Sequence, residues 1–366
     1  MNPAQRITFK CIEVTQPIGS FYIGAIESRD LVKIAHSDIR RIEKREVEEY
    51  IGIERPLSAG RVAELRQFVN TVDASFPTSV ILAVKSEKAQ YDSDDGLMNI
   101  ADEEDVAKII DGQHRIAGLE AFSGASFQMI ATIFVDMDME DQAMVFATIN
   151  LKQTKVNKSL AYDLYEYAAA RSPQKTCHNI AKLLNNTESS PFANKIKILG
   201  VATGEPSETL TQATFVDRLV RYISRDPMKD RDELKRGRKL RSTDGADKAR
   251  LIFRDLFVAE RDAQIAKVIW NYFDAVRTRW PRAWDTVERG NVLNRTTGFG
   301  ALMRLLRPAY LSLAASGPIP KSEAFLSLFA NVKLDDGSFT PARFVPGSSG
   351  EADLYHLLCE ATGLGE

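Results

Sequence analysis

The chain has 366 residues, 44% of them hydrophobic and 27% charged, and a formal net charge of -2. This is the composition of an ordinary globular protein with one large or two moderate domains, and it excludes a uniformly basic nucleic-acid coat. Cys11, Cys177 and Cys359 are far apart in sequence, so neither a disulfide framework nor a cysteine-rich zinc site is expected, and a cytoplasmic location follows. The N-terminus lacks a signal-peptide core, and no apolar run approaches the roughly 20 residues that span a bilayer, so no membrane role is expected.

In chain order, "RITFKCIEV" and "SFYIGAI" predict strands, and "SRDLVKIAH" a short helix. "LSAGRVAELRQFVN" predicts a helix capped by Ser58, with Val62, Leu65, Phe68 and Val69 on one face. "TSVILAV" reads as a buried strand and "KSEKAQYDSDDG" as a polar loop or hairpin tip. "VAKII" reads as a strand, "DGQHRIAGLEAF" as a turn into a helix, "SFQMIATIFVDM" as a strand, and "DQAMVFATIN" as a helix. After about residue 155 helical periodicity dominates, including the whole of "KARLIFRDLFVAERDAQIAKVIWNYFDAVRTRW". The expected division is an α/β domain over 1–155 and a mainly α-helical domain over 156–366.

The pentapeptide Asp111-Gly112-Gln113-His114-Arg115 falls at a predicted strand-to-helix junction. Unpaired amides at a helix start favour an anion. Gly112 allows close backbone approach, Arg115 offers a planar fork for phosphate oxygens, and His114 can exchange a proton near neutral pH. Asp111 could hold a metal ion, a ribose hydroxyl or the histidine. The same spacing also fits a purely structural turn, with Asp111 as a cap and Arg115 on the helix face. Asn150, Lys152, Gln153, Lys155 and Asn157 supply amides and charge to a second polar stretch, read as a loop between helices. Arg55-Pro56, before the Ser58 cap, offers a third cation.

The densest basic stretch is "RDPMKDRDELKRGRKLRS", residues 225–242. Lys235, Arg236, Arg238, Lys239 and Arg241 could contact DNA phosphates, and a solvated loop is the competing reading. His178 and His356 on amphipathic helices, and Trp270, Trp280 and Trp284, read as packing residues. In "TLTQATFVDRLVRYI", Leu219, Val220 and Ile223 favour a core helix over half of a helix-turn-helix.

Taken in this order, "ERPLSAGRVAELRQFV", "DGQHR" and "ATINLKQTKVNKSLAYDL" resemble the DGQHR-domain family, within the ParB/sulfiredoxin-like superfamily, over roughly residues 5 to 165. The resemblance implies a ParB/sulfiredoxin-like N-terminal domain whose turn binds nucleotide phosphates. Gln113 stands where sulfiredoxin has its cysteine, which excludes a sulfinic-acid reductase. Asn150 and Gln153 stand where the ParB box has its amides, and Thr148-Ile149 replace the acidic residue expected before them. On this resemblance ATP, or another nucleoside triphosphate, is cradled by Gly112, Gln113, His114 and Arg115. Arg55, Asn150, Gln153 and Lys155 close the site. Asp111 holds Mg2+, and Asp111, His114 and Arg115 are the catalytic candidates. The family implies DNA modification and phage defence, and the pattern resembles the DpdB-like group of 7-deazaguanine insertion more than DndB. The expected function is an ATPase subunit with DNA and a transglycosylase-like enzyme as partners, with homodimerisation an option. The alternatives are a DndB-like transcriptional regulator of DNA phosphorothioation without turnover, and a metal-dependent DNA-nicking nuclease.

Overall fold

A computed structural model describes residues 6–36, 58–153, 159, 162, 170–198, 207–288, 290–313 and 317–364. Contacts divide the chain into two compact units, Met1–Lys155 and Val156–Glu366.

The first unit is built on one eight-stranded mixed sheet. In chain order it comprises β1 (Arg6–Gln16), β2 (Gly19–Glu27), α1 (Ser28–Ile34), β3 (Ala35–His36) and α2 (Ala59–Phe68). There follow β4 (Val80–Val84), β5 (Ala89–Asp92), β6 (Leu97–Ala101), β7 (Ala107–Asp111), α3 (Gln113–Leu119), β8 (Gln128–Val135) and α4 (Met139–Gln153). The strand order is β3-β7-β4-β8-β2-β1-β6-β5. The β4–β8 and β3–β7 pairs are parallel and the other pairs antiparallel. Period-two alternation sends Ile26, Leu82, Met98, Ile100, Ile109, Met129 and Ile133 into one core with Leu31 and Ile34 of α1 and Ile116 and Leu119 of α3. Burial of such side chains contributes about 2 kcal/mol each, which fixes α3 and the end of β7 against the sheet.

Ser58 caps α2 as predicted, its hydroxyl accepting from the Arg61 amide. The segment read as a polar loop or hairpin tip does carry a hairpin tip, between β5 and β6, and the loop reading is corrected for Ala89–Asp92, which form β5 and pair with β6. Ala89 is buried and Tyr91 half-buried, so a period-two pattern lay under the charged residues. Asn150 closes the segment predicted as a helix and lies in α4, and Lys152 and Gln153, read as loop residues, lie in the helical span of α4 as well.

Helices dominate the second unit, with a two-stranded parallel pairing of Ile196–Lys197 and Leu210–Thr211. Its core holds an aromatic cluster in which Phe192 meets Phe215, Phe273 and Trp284 edge-on. Trp280 and Trp284 are fully buried and donate to Leu334 O and Pro191 O. Leu219, Val220 and Ile223 are buried in this core. His178 is buried and bonded to Gln212, whereas His356 is exposed and rests against Tyr355, a correction to its packed reading. The run from Lys248 to Trp280 is cut into helices Gly245–Arg250, Arg254–Val258 and Asp262–Arg279. Glu260, at a φ of 58°, ends the middle one, and the apolar period continues across the break. Among the described residues no helix is long and apolar enough to cross a membrane.

Candidate functional site

The DGQHR stretch forms the strand-to-helix turn that its spacing predicts. Asp111 is the last residue of β7, Gly112 is the N-cap at φ 103°, and α3 starts at Gln113. Gly112 is required here by packing. A Cβ would stand 2.7 Å from Val80 Cγ1 and 3.1 Å from Arg115 Nη2, in a left-handed backbone that side chains disfavour.

Arg115 turns inward. Its Nη1 donates to Thr78 O at 2.7 Å and Thr78 Oγ1 at 2.8 Å. Its Nη2 donates to Ser79 O at 3.1 Å and to Asp111 Oδ2 at 3.0 Å. Burial pulls the guanidinium below its ordinary pKa, and the Asp111 carboxylate opposes that pull. The fork of an arginine has five N–H groups, four of them on its two terminal nitrogens. The four bonds to Thr78, Ser79 and Asp111 therefore occupy the phosphate-facing edge expected of Arg115.

His114 is engaged as well: its Nε2 accepts from the Ser58 amide at 3.0 Å. An imidazole nitrogen that accepts is unprotonated, so the proton of the neutral ring is on Nδ1. The bond ties the cap of α2 to the first turn of α3. Gln113 is buried, at 9% exposure. The turn is thus a clamp joining β7, α3, the segment before β4 and the start of α2. Thr78, Ser79 and the Ser58 amide are the partners that sequence reasoning missed. The available signal was the i, i+4 spacing of Asp111 and Arg115, which favours an ion pair along the start of a helix.

Magnesium fits this turn poorly. The Asp111 carboxylate that would hold it already faces the Arg115 cation at 3.0 Å. Of the other residues expected to close the site, Arg55 and Lys155 lie outside the described residues. The side chains of Asn150 and Gln153 do as well.

The basic stretch is partly helix, a correction to its reading as a loop. Residues Pro227–Lys235 form a helix with Asp226 as N-cap, its side chain accepting from Lys229 N, and Pro227 in the first turn. It ends in a Schellman arrangement: Gly237 N donates to Leu234 O and Arg238 N to Glu233 O, with Gly237 at φ 72°. Lys235, Arg236, Arg238, Lys239 and Arg241 are all exposed. Arg238 pairs with Glu233 at 3.1 Å, and Arg236 reaches the same carboxylate at 4.0 Å.

Residues 9–234 match the family described as DndB: DNA-sulfur modification-associated, which is more than half of the chain. The chain belongs to the DndB family. The matched span of this DndB-family chain includes the whole clamp and runs into the helix Pro227–Lys235, stopping just before the cationic loop. No curated protein and no solved structure matches the chain. Family membership links it to DNA modification.

Proposed function

We propose that this chain is a DNA-binding regulator of a DNA-sulfur modification system, acting without catalytic turnover, with a ParB/sulfiredoxin-like first unit. The observation that carries the reading is the DndB family match across residues 9–234. The internal engagement of Arg115 supports a structural turn over a phosphate-transferring one, because the ATPase reading needs that guanidinium turned outward. Asp111 and His114, the active pair of a nicking nuclease, are held by Arg115 and the Ser58 amide.

The test is a gel shift of the purified chain on the DNA upstream of its own coding sequence against an unrelated duplex, with and without ATP and Mg2+. Preferential retardation of the upstream DNA without nucleotide is expected. Titration calorimetry that shows tight ATP binding lost in Arg115→Lys, with the fold retained, would return the ATPase reading instead.

A further inference from the structure

The cations of residues 236–241 are presented by a loop held at both ends, which an unattached solvated loop would not be. At its start, the Schellman cap around Gly237 fixes the backbone of Arg236 and Arg238 to the helix Pro227–Lys235. At its end, the buried guanidinium of Arg254 donates through Nε to Arg241 O at 3.1 Å. The same group donates to Ile223 O and grips both carboxylate oxygens of Asp230. Asp230 also accepts from Ser224 Oγ. Two residues beyond Arg241, Asp255 accepts from the amide and hydroxyl of Thr243. A buried, doubly bonded arginine–carboxylate pair is costly to desolvate, and it persists where its hydrogen bonds fix a geometry.

What is fixed is charge. Lys239 and Arg241 are exposed, as are Lys248 and Arg250 on the helix that follows. Residues 235–241 carry five cations and no acid, in a chain of net charge -2. The loop also lies beyond the span matched to the DndB family.

We infer that the loop 236–241, preorganised by Arg254 and Asp230, is a contact for the phosphate backbone of duplex DNA, with Glu233 limiting its strength. The inference rests on the DNA-binding reading above and locates its contact. Lys239 and Arg241 meet phosphates directly, releasing condensed counterions. The Glu233 carboxylate competes with phosphate for Arg236 and Arg238, so removing its charge tightens binding.

The experiment is fluorescence anisotropy of a labelled random-sequence duplex with the full chain, over a series of salt concentrations. Each phosphate contact contributes about 0.9 to the slope of log affinity against log salt. The double variant Lys239→Ala/Arg241→Ala is expected to lower that slope by about 2, with its melting temperature unchanged, since both changes are on exposed side chains and leave the Arg254 bond to the Arg241 carbonyl in place. Glu233→Gln is expected to bind roughly twofold to fivefold tighter, the range of a lost surface ion pair. An unchanged slope in the double variant, or equal or weaker binding in Glu233→Gln, overturns the inference while the regulator reading stands. Failure of the unaltered chain to bind either this duplex or its upstream DNA overturns both.

Discussion

At the residue scale, Arg115 behaves as a structural group whose loss is felt in folding. Truncation to alanine removes the Arg115 bonds to Thr78 O and Ser79 O and the cation beside Asp111, in a turn where the Arg115 side chain is 17% and that of Asp111 30% exposed. Losing these bonds costs about 3 kcal/mol. Urea unfolding of Arg115→Ala should therefore show a clearly lower midpoint. A midpoint equal to that of the unaltered chain would mean that the fork is not engaged in solution. Gly112→Ala is expected to cost a comparable amount, about 3 kcal/mol, from left-handed backbone strain and the collision with Val80. The sequence showed where this turn lies and that its glycine matters. It did not show which way Arg115 faces, because an i, i+4 ion pair and a ligand-facing guanidinium need the same residues at the same spacing.

At the element scale, the β1–β2 pair carries a thiol whose ionisation opposes the fold. Cys11 lies directly across from Gly24, where a Cβ would come within 2.5 Å of its sulfur, so the small glycine makes the room. Burial pushes the Cys11 thiol from an ordinary 9.0 up to about 11. The folded state thus resists the thiolate. Its contribution is fully present below pH 9, declines as pH rises, and is gone once pH has passed about 11. The amount is on the order of 2 kcal/mol. Urea unfolding between pH 8 and 11 should show stability falling more steeply in the unaltered chain than in Cys11→Ala, and equal slopes would disprove the assignment. Neighbouring elements explain what sequence periodicity missed. The alternation of β5 spans only four residues between flanking lysines and aspartates, while the apolar period that suggests helix from Lys248 to Trp280 runs on across the turn at Glu260. The helix Pro227–Lys235 is signalled by Asp226, Pro227 and Gly237, yet its charge density suggests a loop.

At the scale of the whole molecule, the two units have separate apolar cores. One gathers strands and helices of residues up to Ile133, the other begins at Cys177. The loop 236–241 and every group that fixes it, Asp230, Arg254 and Asp255, belong to the second. The Asp111–Arg115 clamp and its partners belong to the first. Because the second unit has an aromatic core of its own, residues 156–366 expressed alone should melt cooperatively. If the loop supplies the phosphate contact, that fragment retains most of the salt slope of the full chain on a random duplex, and residues 1–155 alone show little. Sequence preference is a different quantity from phosphate affinity, since phosphate contacts position a protein while base contacts specify its site. A fragment that keeps the slope but loses preference for the upstream DNA would assign sequence reading to the first unit. The opposite result, a first unit that alone reproduces the full slope, would remove the loop from the interface.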